Sequence, residues 1–382
     1  MKNPVGQACS VIGLAAHLGC GVGRVSIDAV LGGWAGLPRT VDQLDPGVLS
    51  KVMGTTVNSV RVLSSDAGTS SRARLVLTGR NVPESVFVKL TARTTATRLM
   101  AELGRLGHTE VRFYRQLAPV LTGLPEAYGA AFDTWTGRYL LVLEDLPAAS
   151  TEFPDTLHPL SIDQAGLVVE LLANLHATFW GRLRADGRGP LGWLCTPSAD
   201  DTSLLTGSLM KAAIKRLTER TTNPVDFAVD TGRFIADNYR AVAAVIDAPP
   251  HTVMHGDAHP GNVYFRDRQA GLLDWQAVRR GHPSRELAYT LITGLTPEDR
   301  RAAQRDLLDV YRSALTAAGG PDLDPDELWL RYRQAAQYAY VATLITSGMG
   351  GMQVDDIATE GLRRGVAALD DLETVAALKL RL

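Results

Sequence analysis

The chain has 382 residues, 45% of them hydrophobic and 21% charged, and a formal net charge of −2. That length predicts two or three structural units with a large buried core, and the composition excludes collagen-like, disulfide-stapled and wholly disordered chains. With 39 basic against 41 acidic side chains, no excess positive field exists to hold nucleic acid. The near-zero total conceals a split: residues 1–150 carry 15 basic and 11 acidic groups, and residues 151–382 carry 24 and 30. Cys9, Cys20 and Cys195 are odd in number and form no C-x-x-C pair, which predicts reduced thiols and a cytoplasmic location.

Residues 1–40 are Gly-rich, and Asn3 to Gly23 carry no formal charge. Five glycines, Pro4 and His17 argue against a membrane-spanning helix, and Lys2 is a poor basic flank for a signal peptide. We read this segment as an unassigned, flexible extension, with no membrane partner. From Val57 the pattern turns to strands, at Val57–Leu63, Arg72–Leu77 and Ser85–Leu90. Helical spacing then predicts one helix over Thr95–Leu117, with Leu99, Leu103, Leu106, Val111, Tyr114 and Leu117 on its apolar side. Further strands are predicted at Ala127–Phe132 and Arg138–Leu143, before Pro147. Beyond Pro147, Ser161 and Gln164 form a capping box opening a helix toward Arg184. More helices are predicted at Thr206–Arg220, Phe227–Ile246, Pro283–Ile292, Pro297–Ala318, Pro325–Ser347 and Thr359–Leu378, around a β-like island at Thr252–Asp274. The fold class is therefore α+β: a small β-rich lobe over 41–146 and a larger, mainly helical lobe over 147–382.

The informative stretch is His255-Gly256-Asp257-Ala258-His259-Pro260-Gly261-Asn262, followed by Leu273-Asp274-Trp275. Phosphoryl transfer from a nucleotide needs a carboxylate to take the attacking hydroxyl's proton and oxygen ligands to hold Mg²⁺ against the phosphates. Asp257 and Asn262 are five residues apart, so one loop can present both, and Asp274 follows an apolar strand twelve residues on. This is the H-x-D-x-x-x-x-N and D-x-x order of kinase folds. Upstream, Gly68-Thr69-Ser70-Ser71 lies between two strands, where a turn of small residues can bring backbone N–H groups to phosphates. Lys89 stands at a strand end as the one lysine between Lys51 and Lys211, and Glu110 in the following helix can pair with it. Glu102 is a second carboxylate on that predicted helix.

These residues resemble the aminoglycoside phosphotransferase and choline kinase-like small-molecule kinases, particularly the CHK (ecdysteroid-kinase-like) branch. The likeness rests on Val253–Phe265, Leu273–Gln276, Glu110–Tyr114, Leu141–Leu146 and Leu175-His176-Ala177, in the family's order. It implies a bilobal protein-kinase-like fold and an ATP-dependent kinase acting on a hydroxyl of a small-molecule acceptor. It implies Asp257 as catalytic base, His255 as the residue holding the loop, and Mg²⁺ on Asn262 and Asp274. It further implies nucleotide phosphates on Lys89, Lys89 paired with Glu110, and adenine against the backbone of Leu143, Glu144, Asp145 and Leu146. One glycine stands in the phosphate turn where protein kinases carry several.

Three other readings compete. A nucleotide-binding pseudokinase or regulatory protein would usually have lost one of Lys89, Asp257, Asn262 or Asp274. A zinc hydrolase could use His251, His255 and His259, but Gly256 and Pro260 make a helix through them improbable. Gly19-x-Gly21-x-Gly23 follows no predicted strand, so a dinucleotide site there is disfavoured.

Overall fold

In a computed structural model, residues 4–31, 36–184, 186–220, 227–351 and 353–379 are described, and the chain divides into two units. One comprises the chain up to Thr151 together with Asp274–Ala277; the other comprises Glu152–Leu273 and the residues from Val278 on.

The first unit is built on an antiparallel sheet of β1 (Val57–Ala67), β2 (Ser71–Gly79), β3 (Ser85–Leu90), β4 (Ala127–Phe132) and β5 (Tyr139–Glu144), in the order β1-β2-β3-β5-β4. Alternation in β2 turns Ala73, Leu75 and Leu77 inward, while β3 and β5 read as nearly continuous apolar runs because they lie at the centre of the sheet. Their inner faces pack with Leu49 of α2 (Pro46–Met53), a helix begun by Asp45, whose carboxylate accepts from the N–H of Val48.

Two expectations for this unit need correction. The helix predicted over Thr95–Leu117 is two helices, α3 (Thr95–Leu103) and α4 (Leu106–Gln116). Gly104 ends the first, and Arg105 turns into the left-handed region at φ 53° before the second begins, a change of direction that periodicity does not register. Residues 4–31, expected to be flexible, form α1 (Pro4–Leu31). Its two charged residues tie it down. Asp28 is fully buried against Arg98 and Arg138, and Arg24 pairs with Glu102 at 3.0 Å. Glycines in a helix cost about 1 kcal/mol each, so tertiary ion pairs rather than propensity hold this segment helical. The stretch Ser10–Val30 is long and apolar enough to cross a membrane by length and composition, and little of it is buried. Gly19, Gly21 and Gly23 lie inside this helix rather than in a strand–helix turn.

The chain passes from the first unit to the second within a two-residue strand, β6 (Thr151–Glu152). In the second unit the Ser161–Gln164 capping box forms reciprocally and opens α5 (Ile162–Phe179), which ends at an extended Trp180, short of the predicted Arg184. Then come α6 (Ser203–Arg220), α7 (Val229–Asp237) and α8 (Tyr239–Ile246). The last two were expected as one helix; Asn238, outside the helical region, separates them. The β-like island resolves into β7 (Thr252–Met254), paired with β10 (Arg279–Gly281), and a hairpin of β8 (Val263–Arg266) and β9 (Gln269–Leu272). Beyond it lie α9 (Pro283–Gly294), α10 (Pro297–Ala317), α11 (Pro325–Met349), α12 (Asp355–Asp371) and α13 (Thr374–Lys379). The predicted helix Thr359–Leu378 is split by Glu373 at φ 46°. A second core, with Met210, Ile214, Ile235, Tyr340, Leu344 and Leu362, gathers α6, α7 and α12 around α11.

Candidate active site

Lys89 ends the apolar run of β3 and is 4% exposed. Its Nζ donates to Glu110 Oε1 at 2.8 Å and to Asp274 Oδ1 at 2.9 Å, both within the first unit. An ammonium this deep survives only against opposite charge. Burial alone would lower its pKa; Asp274 and Glu110 more than offset that and hold it above its ordinary value. The carboxyl of Glu110 is pushed up to about 7 by burial, against the pull of Lys89. Glu102 points elsewhere, to Arg24. Asp274 adopts φ 57°, and the next residue, Trp275, stacks on Phe113 of α4 at 3.9 Å between ring centres. A left-handed Asp costs energy that the surrounding structure must supply; here the Trp275 stack and the Lys89 bond hold it.

Gly68, Thr69 and Ser70 form the turn between β1 and β2, closed by the Gly68 N–H donating to the Ser70 carbonyl at 2.9 Å. Ser70 and Ser71 are buried, and the Ser71 hydroxyl has no protein partner. Leu143 and Glu144 end β5, Asp145 pairs with Arg74 at 3.0 Å, and Leu146 is buried.

The second unit positions Asp257. Its Oδ1 accepts from the hydroxyl of Tyr289 at 3.0 Å, and its backbone carbonyl accepts from Asn262 Nδ2 at 2.9 Å. Asp257 keeps 29% of its side chain exposed, enough to meet a substrate. His255 is fully buried. Its Nδ1 accepts from the N–H of Asp257 at 3.2 Å, so Nε2 carries the proton that it donates to the Leu273 carbonyl at 2.7 Å. In turn the Asn262 carbonyl accepts from the N–H of Leu273 at 2.8 Å. The β8–β9 hairpin, with Val263 opposite Leu272, therefore brings the two ends of the motif side by side.

Residues that the motif does not contain hold this loop. Glu286, buried in α9, accepts from the N–H of His255 at 3.1 Å and of Gly256 at 2.6 Å. His176 Nε2 lies 2.9 Å from the same carboxylate, and the ring's Nδ1 is 2.8 Å from the Tyr311 hydroxyl. Burial would raise the pKa of Glu286; the hydrogen bond and charge of His176, with the Gly256 N–H, hold it below its ordinary value. Tyr338 of α11 donates to the Gly256 carbonyl at 2.9 Å, and Thr290 to the Ala258 carbonyl at 2.8 Å. His176 is a fully buried residue with both ring nitrogens in hydrogen bonds.

The three histidines of the zinc reading do not converge. His251 faces the Asp247 carbonyl, His255 the Leu273 carbonyl, and His259 the N–H of Gly261. Among the described residues no group of three or more His, Cys, Asp or Glu is placed to hold a metal. Asn262 carries an amide oxygen and Asp274 a carboxylate, each a hard donor of the kind that Mg²⁺ takes.

No curated protein sequence matches the chain. Among solved structures it is similar to choline kinase from Cryptosporidium parvum Iowa II, at 10% identity, a TM-score of 0.53, and coverage of 84% of this chain and 92% of that one. It is also similar to a choline/ethanolamine kinase family protein from Mesorhizobium loti, at 12% identity, a TM-score of 0.49, and coverage of 84% and 91%. The first likeness shows a protein-kinase-like small-molecule kinase fold, with its β-sheet region N-terminal and its mainly helical part C-terminal. A model of the phosphotransferase enzyme family known as APH matches residues 61–329, a range that holds Lys89, Glu110, His176, Asp257, Asn262, Asp274 and Glu286. With that match over more than half of its length, the chain belongs to the APH phosphotransferase enzyme family.

Proposed function

We propose that this protein transfers the γ-phosphoryl group of ATP to a hydroxyl of a small-molecule acceptor, within the ecdysteroid-kinase-like branch and in the cytoplasm. The observation that carries the reading is Asp257, part-exposed and fixed by Tyr289, Asn262 and a buried His255, in a chain that also buries Lys89 against Glu110 and Asp274. Asp257 takes the proton of the acceptor hydroxyl as the acceptor oxygen attacks the γ-phosphorus, and the bond to the β,γ-bridging oxygen breaks with its electron pair leaving on ADP. Tyr289 donates to Oδ1 at 3.0 Å and Asn262 Nδ2 to Oδ2 at 3.3 Å, which together fix the plane of the carboxylate. Lys89 contacts the α and β phosphates, with its charge and direction maintained by Glu110. The backbone of Gly68–Ser71 covers the phosphates, and that of Leu143–Leu146 meets the adenine. Asn262 and Asp274 supply oxygen ligands to Mg²⁺, which when bound neutralises charge on the phosphates.

The branch assignment is supported by Leu175-His176-Ala177 and Glu144-Asp145-Leu146 beside the His255-Gly256-Asp257 motif. Asp257→Asn is expected to lower acceptor-dependent ADP release by about 10²–10⁴-fold, the usual contribution of a positioned base, with Mg²⁺-ATP binding retained. An acceptor panel of amino alcohols, sugars, aminoglycosides and steroid-like alcohols supplies the assay. Full activity in the Asn variant would overturn the assignment of Asp257.

A further inference from the structure

The second unit holds a cavity of about 540 Å³ that the phosphoryl-transfer residues do not line. Leu183, Leu194 and Pro249 give it apolar walls, and Cys195, His251, Arg280 and the Arg184-paired Asp186 give it polar ones. Arg280 is only 9% exposed. Its Nη1 donates to the Arg184 carbonyl at 3.0 Å and its Nη2 to His251 Nδ1 at 3.2 Å, while the buried Nε–H has no partner.

No carboxylate lies within ion-pair distance of this guanidinium among the described residues. The other buried arginines all have one: Arg98 and Arg138 share Asp28, Arg285 has Asp247, Arg300 has Asp371 and Arg364 has Glu360. Nearby acids are committed elsewhere, Asp247 to Arg285 and the N–H of Ser198, and Asp186 to Arg184. His251 supplies no negative charge either. Its Nε2 lies 2.6 Å from the Asp247 carbonyl and so carries the proton, which leaves Nδ1 as the neutral ring's acceptor. A buried guanidinium without a counter-charge is costly, and Arg280 in the wall of this cavity is a group with which a carboxylate ligand can pair.

We infer that this cavity binds a small organic monoanion, a carboxylate with an apolar body, through Arg280. The size suits such a ligand. The site is separate from the catalytic loop. Arg280 pairs with Val253 across β7 and β10, and His251 precedes β7 whereas Asp257 follows it.

Octanoate is the probe, with octanol, octylamine and inorganic phosphate as comparators, each titrated calorimetrically into the whole protein without nucleotide. Octanoate is expected to bind saturably, and octanol and octylamine at least about ten-fold more weakly. Phosphate, which lacks the apolar body, is expected to be weaker than octanoate. Arg280→Gln should weaken octanoate by a similar factor. Ala199→Trp, at an exposed residue of the cavity lining, should do so while leaving Arg280 in place, and it decides the matter if Arg280→Gln does not fold. Octanoate should also slow alkylation of Cys195, a half-buried cysteine in the wall. Octanoate binding that is absent at millimolar concentration, that octylamine matches, or that neither variant changes would overturn the inference.

Discussion

Glu286 takes the N–H groups of His255 and Gly256 together with His176, so one buried carboxylate sets the path of the loop that carries Asp257. Its removal leaves two buried N–H groups and a buried imidazole without their acceptor, each costing about 1–3 kcal/mol. Glu286→Ala should therefore lose about 3–5 kcal/mol by urea unfolding and most of kcat, and Glu286→Gln, which keeps one acceptor oxygen, should lose less of both. His108 makes a separate, pH-dependent contribution. Its pKa is lowered to about 4 by burial and by Arg112, Arg24 and Arg105. The unfolded chain binds a proton at His108 below pH about 6.5 while the folded protein takes it up only near 4, so this residue makes stability fall as pH drops across that window. His108→Phe, which keeps a ring against Phe132, should flatten the stability profile between pH 4 and 6.5 in denaturant titrations. At this scale the chain announced what was local. Asp257, Asn262 and Asp274 stand within eighteen residues of one another, and their spacing alone marked them. Glu286 and His176 carry no such signal, because they lie 31 and 79 residues from His255 and each reads as an ordinary helical residue.

The β8–β9 hairpin is the element that joins Asn262 to Leu273, and its two-residue turn is strained. Asp267 and Arg268 sit at φ 52° and 61°, the left-handed pair of a type I′ turn, for which glycine is the favoured second residue. Arg268→Gly removes a Cβ penalty of about 1–2 kcal/mol, so a rise in Tm of a few degrees by calorimetry is expected, with activity unchanged. Strand positions were read closely from alternation and β-branched runs; Ser85–Leu90 and Ala127–Phe132 agree end to end. Helix existence was equally legible, but breaks were not. Arg105, Asn238 and Glu373 interrupt runs whose apolar periodicity continues through them, because backbone reversals there answer to packing rather than to the pattern. α1 shows the opposite case. Glycine content argued against helix, and Asp28, buried between Arg98 and Arg138, overrode it.

For the molecule as a whole, a ligand that binds the folded protein alone raises its stability by mass action. Mg²⁺-ATP at one hundred times its Kd should add about 2.7 kcal/mol, read as a rise in Tm, and ATP with EDTA or the Lys89→Met variant should show much less. The positive balance of residues 1–150 suits a triphosphate partner, and Lys89 is the one lysine among β1–β5. The negative balance of residues 151–382 includes Asp257, Asp274 and the buried Glu286, so it does not define the charge of an acceptor. The sequence by itself determined the fold class and picked out the loop of Asp257 and Asn262, because strand alternation, capping residues and a motif contained in one loop are properties of short stretches of chain. Tertiary structure alone decided that Glu110 rather than Glu102 meets Lys89, that Glu286 and His176 brace the loop, and that Arg280 is buried without a counter-ion. Those facts depend on which residues distant in the chain share a dry interior, where an ion pair or its absence costs far more than it does in water.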